Sequence, residues 1–326
     1  MEKILIITNS ADPHSDSVIN QIKKKESIFR VNTDELLNNF RYDFFIDDKS
    51  LTNSFINPIG RILKLEEIRS VYYRRPEKPI LSEKTSFDYI SISEAWNGFF
   101  HVLYSIYDKV WLGHPHIDKF ASSRLVQLKT AQKIGWNIPP TIISRNPDEI
   151  RMFCRKYSEL AIKPLGEKGA SIDGQWFPYF TSRISAEQII NKNNSELSVT
   201  YSYLQAYIPK KNEWRITVIG NEVFPCILNS QDSTDGKIDW RTVHFDTIKH
   251  EIGEISETFK RQLIQYLNYL KLPFGAFDFI LTPNNKFVFL ECNPNGQWLW
   301  IEELTKLPIS NSIAKWLETA HYDFIT

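Results

Sequence analysis

The sequence predicts an α/β (α+β) protein, on three observations. The chain opens with a short apolar run that passes through a polar loop into a helix and a second strand. Strands dominate after residue 140, with helical stretches between them. An aromatic hairpin near the end carries two carboxylates. At ~150 residues per domain, 326 residues make about two domains. With 42% hydrophobic residues the chain can build its core without staples. Cys154, Cys226 and Cys292 lie far apart with no metal-ligand spacing, which fits a reducing cytoplasm and excludes a disulfide framework or a zinc finger. Lys+Arg and Asp+Glu both number 39, and this zero net charge argues against a nucleic-acid binder, which gains its affinity by neutralising phosphates. No apolar run reaches the ~20 residues of a membrane span. The first residues lack the basic segment and apolar stretch of a signal peptide.

Ile4-Leu5-Ile6-Ile7, ended by Thr-Asn-Ser, reads as a buried parallel strand, followed by a helix from Ser17 to about Lys25 and a strand Ile28 to Asn32. Residues 41–64 alternate strand-like segments with turns. Val71-Tyr72-Tyr73 is a further strand, ending at Arg74-Arg75-Pro76, where the basic pair reads either as part of a binding groove or, more often for such a pair, as a solvated strand end. Ser91 to Lys109 is helical, and a boundary falls near Gly113–Pro115. Ile117 to Gly135 reads as one helix, with Asp118 as N-cap, a stripe of Leu125, Leu128 and Ala131, and Gly135 as the C-terminal stop. Beyond the Pro139-Pro140 pair, helices are expected at about 147–156, 185–192, 255–270 and 309–319.

The strongest signal is Phe274 to Trp298. Two β-prone runs flank Asn284-Asn285, which reads as a two-residue turn, so Asp278 should sit opposite Glu291 with Asn293 on the same face. Like charges facing each other across a sheet are destabilising. An all-oxygen set of two carboxylates and an amide suits Mg²⁺, completed by water and phosphate oxygens. The competing account, a basic neighbour paired with one carboxylate, is weaker, because the aromatic flanks imply burial. Phosphate donors are sought elsewhere, since neither Gly-rich phosphate-binding motif is present. Lys163, in the apolar strand Leu160-Ala-Ile-Lys, needs a partner. It leads to Gly166-Glu-Lys-Gly-Ala-Ser171, a small-residue loop whose amides can cradle phosphate. Lys129 lies on the preceding helix. Alternation puts Gln205 and Tyr207 on one face, and Glu213, Arg215 and Thr217 on one face of the next strand. Glu213 and Arg215 read equally well as a surface pair. Asp239-Trp240-Arg241 is either an exposed loop or a fork for a carboxylate or phosphate.

In order, a helical Lys, Ile-Lys-Pro, Gln-x-x-Ile, Glu-x-Arg, Asp-Trp-Arg and Asp…Glu-x-Asn resemble the ATP-grasp carboxylate ligases. Asp239-Trp240-Arg241 and Asn293-Pro-Asn-Gly-Gln-Trp298, with Leu5-Ile-Ile-Thr and Tyr73-Arg-Arg-Pro76, resemble the graspetide synthetases of microviridin type, which macrocyclise ribosomal peptides. The resemblance spans nearly the whole chain. It implies an ATP-grasp fold with an N-terminal pre-ATP-grasp α/β domain (1–114), a central subdomain (115–200) and a C-terminal subdomain (201–326), the nucleotide lying between the last two. It implies ATP and Mg²⁺ as cofactors. Lys129, Lys163 and the Gly169-Ala170-Ser171 backbone would hold phosphates. Gln205 and the backbone near Tyr207 and Ile208 would meet adenine, and Glu213 the ribose. Asp278, Glu291 and Asn293 would bind Mg²⁺, and Arg215 would steady the γ-phosphoryl group. Asp239, Arg241 and Asn295 would face the peptide, Arg241 taking its acidic side chain. The partner implied is a precursor peptide with leader and core, bound by a cytoplasmic homodimer. The chemistry expected is activation of an Asp or Glu side chain as an acyl phosphate, captured by a Ser or Thr hydroxyl or a Lys amine. Two alternatives stand beside it: an amide-forming ligase that appends amino acids or makes small peptides, and a nucleotide-binding regulatory module without turnover.

Overall fold

The computed structural model describes residues 2–36, 40–77, 87–104, 109–166, 169–172, 175–232, 237–242 and 244–319. Lys3–Thr8 is the opening strand. It lies between Ile28–Asn32 and Ile68–Tyr73, with Val110–Leu112 outside the latter, and every pairing is parallel. The first helix, Pro13–Gln21, starts earlier than the sequence suggests. The Asp12 side chain accepts from the backbone N–H groups of His14 and Ser15, and Pro13 stands at the first helical position, where no N–H is needed. An antiparallel sheet of Arg41–Ile46, Leu51–Ile56 and Ile62–Lys64 follows. The helix expected over 91–109 runs Phe87–Tyr104.

The helix expected over 117–135 is two helices, Pro115–Ala121 and Arg124–Ile134, broken at Ser122-Ser123. Asp118 is not a cap. It sits inside the first of them, where burial pushes its carboxyl up to about 7. Gly135 closes the second in the left-handed conformation (φ 87°). Ala121, Leu128 and Ala131 from these helices join Trp136, Tyr266, Phe277, Phe279 and Phe289 in an aromatic core. A four-stranded sheet runs in the order Ser182–Ser185, Glu159–Ile162, Ser202–Ala206, Thr141–Ser144. The helices Pro147–Cys154, Ala186–Ile190 and Asn194–Ser198 share its core. Ser202–Ala206 therefore belongs to the central sheet, and sheet membership changes between Ala206 and Asn212 rather than at residue 200.

The last sheet has five strands, in the order His250–Ile252, Glu222–Leu228, Asn212–Ile219, Phe274–Leu281, Phe287–Asn293, antiparallel throughout. Its two faces bury different partners, as the period of two requires. Ile216, Phe277 and Phe279 point into the aromatic core. Ala276 and Cys226 point the other way, into a core shared with Ile4, Ile6, Tyr72, Trp298 and Ile313. The N-terminal parallel sheet and the C-terminal sheet are thus joined by one apolar core. The polar row described next lies on that second face.

Candidate functional site

Asp278 does stand opposite Glu291, but by a different route from the one the sequence suggests. The loop is Pro283–Asn285, closed by Thr282 N–H donating to the Lys286 carbonyl at 3.0 Å, with Asn285 at φ 56°. Three residues put the strands one step off a two-residue register: Leu281 faces Phe287 and Phe279 faces Phe289. Leu290 is then an extra residue, a bulge, after which Glu291 faces Asp278 and Cys292 faces Phe277. Were Leu290 a regular member of the ladder, the same register would pair Glu291 with Phe277 and turn it to the opposite face.

The neighbouring strand puts Arg215 opposite Asp278, so Arg215, Asp278 and Glu291 form a row across three strands. Arg215 Nη1 donates to both Asp278 oxygens at 2.9 and 2.8 Å, and Nη2 donates to the Gln297 carbonyl at 3.1 Å. The surface-pair account of Glu213 and Arg215 fails, since both are buried, at 6% and 5% exposure. Asn293 Nδ2 donates to Asp278 Oδ2 at 3.1 Å and to Glu291 Oε1 at 3.3 Å. Burial raises the Asp278 pKa. Arg215 opposes this, while the facing Glu291 charge adds to it. Arg124 pairs with Glu291. Arg241 approaches Glu291 within 3.9 Å.

Arg241 is held as a fork. Its Nε and Nη2 donate to the two Asp239 oxygens at 2.8 and 2.5 Å, and Asp239 Oδ2 also accepts from the Thr181 backbone N–H at 3.1 Å. Burial works against the Arg241 charge, and the Asp239 carboxylate more than offsets it. Trp240 packs on Trp300, 5.1 Å between ring centroids, which steadies the turn.

Arg124, Asp239, Arg241, Asp278 and Glu291 line one cleft between the central and C-terminal sheets. Lys163 lines it, with burial pushing its ammonium down to about 8. Gln205, Tyr207, Ile208 and Glu213 line it as well. Gln205 Nε2 donates to Thr141 Oγ1 at 2.9 Å. Glu213 Oε1 accepts from Ser230 Oγ at 2.8 Å and from Lys210 Nζ at 2.6 Å. Lys210, which the sequence reading missed, also reaches the Ile238 carbonyl at 3.0 Å.

Four expectations are corrected by position. Lys129 is exposed and does not line the cleft, whereas Arg124, the first residue of the same helix, does. The break at Ser122-Ser123 turns Arg124 inward, and reading one continuous helix hid it. Gly169, Ala170 and Ser171 are not in a loop: Gly169–Ile172 is a strand paired with Gln175–Pro178. Glu167 and Lys168 of that segment lie outside the described residues. Asn295 faces the N-terminal sheet, its Nδ2 donating to the Arg74 carbonyl at 2.6 Å. Arg74 is buried at 2% exposure, so the basic pair is no solvated strand end, although Arg75 is exposed. His244 is exposed, with Nδ1 2.5 Å from Asp246.

The donor chemistry fits a hard divalent ion. The two carboxylates, each also paired with an arginine, supply oxygens alone, and Asn293 adds one by turning over its amide, whose Nδ2 otherwise faces both of them. Among the described residues there is no group of three or more His, Cys, Asp or Glu side chains placed to hold a metal, so the set rests on two carboxylates with Asn293 as its third member.

Residues 3–119 match the family model described as the MvdD pre-ATP grasp domain, and residues 128–265 match the ATP-grasp domain of prokaryotic glutathione synthetase. No curated protein matches the chain. Among solved structures, a RiPP-associated ATP-grasp ligase of Chryseobacterium gregarium, in complex with ADP and a leader and core peptide, is 30% identical with a TM-score of 0.89 over 98% of both chains. Macrocyclase MdnB from Microcystis aeruginosa MRC is 26% identical, TM-score 0.77, over 98% of this chain and 100% of that one. Macrocyclase MdnC from the same strain, bound with precursor peptide MdnA, is 24% identical with a TM-score of 0.83 at the same coverage, which bears on the fold alone.

Proposed function

The chain belongs to the RiPP-associated ATP-grasp ligases, and from that premise we propose that it crosslinks side chains of a ribosomally made precursor peptide at the expense of ATP. The observation that carries this is the sharing of one cleft by two devices. The Asp278–Glu291 pair, with Arg215 buried behind Asp278, suits Mg²⁺-bound phosphate, and the Asp239-held Arg241 suits a carboxylate. In this reading Lys163 and Arg124 hold the nucleotide phosphates. Gln205, Tyr207 and Ile208 meet adenine, Glu213 takes the ribose, and Asp278, Glu291 and Asn293 carry Mg²⁺. The cation, when bound, neutralises charge on the phosphates.

A peptide carboxylate is a poor electrophile. Arg241 brings an Asp or Glu side chain to the γ-phosphoryl group. The carboxylate oxygen attacks phosphorus, the bond to the β-phosphate oxygen breaks, and an acyl phosphate and ADP result. Arg215 stabilises charge on the transferring group. A Ser or Thr hydroxyl, or a Lys amine, of the same peptide then attacks the acyl carbon, loses its proton and expels phosphate. Holding both ends in one cleft supplies much of the rate. No protein nucleophile is needed. We place the enzyme in the cytoplasm as a homodimer, a state that light scattering reads directly.

The test is mass analysis of a candidate precursor after incubation with enzyme, ATP and Mg²⁺. Loss of one water per ring, with stoichiometric ADP, is the expected result. Added amino-acid masses would instead mean tailing, and an unchanged peptide with every candidate would defeat the proposal.

A further inference from the structure

Arg74 follows the strand Ile68–Tyr73 and is 2% exposed, yet the reaction above does not use it. Its Nη1 donates to the main-chain carbonyl of Asn295 at 2.7 Å and also to that residue's Oδ1. Asn295 Nδ2 returns a bond to the Arg74 carbonyl at 2.6 Å. Arg74 Nε and Nη2 are buried with no hydrogen-bond partner among the described residues. Burial also works against its charge. A guanidinium held this way is expensive, and its side chain makes its hydrogen bonds to Asn295.

Asn295 is the middle of a turn whose two ends touch the carboxylate row. At one end, Asn293 bonds both Asp278 and Glu291. At the other, the Gln297 carbonyl accepts from Arg215 Nη2. Gly296 lies between, so close to the sheet that no side chain fits. A Cβ there would stand 2.8 Å from Arg215 Nη2 and 2.5 Å from Ala276 Cβ. A shift of the turn would move the Gln297 carbonyl to which Arg215 donates.

We propose that Arg74 is a positioning residue: by clamping Asn295 from the N-terminal sheet, it fixes the turn that aims Arg215 and Asn293 at Asp278. The proposal rests on the functional reading above in taking that row as the metal and phosphoryl site. The N-terminal sheet then takes part in phosphoryl transfer without touching the nucleotide.

The experiment compares Arg74→Met, Asn295→Ala and the double variant. It measures ADP affinity at saturating Mg²⁺, the Mg²⁺ concentration that half-saturates ADP binding, and kcat for peptide-dependent ADP release. The expected result is ADP affinity within about twofold of the parent, a Mg²⁺ requirement raised about tenfold, and kcat lowered about 100-fold, the scale of a 1 Å misplacement. The double variant should be no worse than either single one, because the two residues act as one unit. Melting curves check folding, and Asn295→Ala carries the test alone if Arg74→Met does not fold. Additive losses, or an Asn295→Ala enzyme with unchanged Mg²⁺ requirement and kcat, would overturn the clamp. If the parent enzyme binds Mg–ADP but no peptide elicits ADP release, the crosslinking reading fails, and the Mg²⁺ arm still decides the clamp.

Discussion

Arg241 shows what one side chain can decide. Asp239 takes two of its N–H groups, and its Nη1 lies toward Glu291. We expect Arg241→Ala to lower crosslinking at least ~100-fold, the scale for truncating a desolvated charge partner. ADP affinity should stay within about twofold. Equal loss of both, by calorimetry and product mass, would move Arg241 to the nucleotide. Lys163 predicts a pH dependence. Burial lowers it to about 8, so from there to the ordinary lysine range the unfolded chain binds more protons and stability rises with pH. Nucleotide binding runs the other way, because the cleft loses a cation. ADP affinity should weaken as pH passes about 8, and Lys163→Arg should flatten that dependence in a fluorescence titration. Alternation put Arg215 on one face with Glu213 and Thr217, but its contact with Asp278 was not legible. The Asp278–Glu291 pairing was read through a two-residue turn, and it stands because the longer loop and the Leu290 bulge offset each other. Arg124, Lys210 and Arg74 were not legible, since a lone cation looks the same in sequence whether it faces solvent or a carboxylate. Only the break at Ser122-Ser123, the distant partners Glu291 and Asn295, and the burial of the Lys210–Glu213 pair separate the two cases.

The last hairpin teaches the same lesson one level up. Its existence and both of its strands were readable from β-prone runs around a polar turn. The loop length was not, because Pro283-Asn284-Asn285 admits more than one turn. Asn285 holds a left-handed conformation that side chains with a Cβ adopt at a cost. Asn285→Ala should therefore destabilise the chain by about 1 kcal/mol in urea unfolding, with Mg–ADP affinity unchanged. Asn285→Gly should not destabilise it. A loss of nucleotide binding in Asn285→Ala would show that turn strain reaches the carboxylates. The helix over Ile309–Thr319 was placed correctly by periodicity. The long helix ending at Gly135 was not: Leu125, read as part of its apolar stripe, is exposed, and the residues that break it are plain serines.

Across the whole molecule, the cleft is walled by two sheets with separate cores. A ligand gripping both walls should brace the chain as a unit. Mg–ADP at ~100 times its Kd should add about 2.7 kcal/mol to stability. A thermal-shift series would read this, and Lys163→Met should lose most of the shift while Arg241→Ala keeps it. The alternation of strand and helix gave the fold class. It could not give the shared core of the N-terminal and C-terminal sheets, because Ile6 and Trp298 meet only once the intervening chain has folded. The row of Arg215, Asp278 and Glu291 has a last consequence. Its members come from three adjacent strands in fixed alignment, so a molecule that slips by one position anywhere in that stack points a member of the row the wrong way. Such a chain has no half-working version of the centre. The centre therefore forms only with the correct pairing of all three strands.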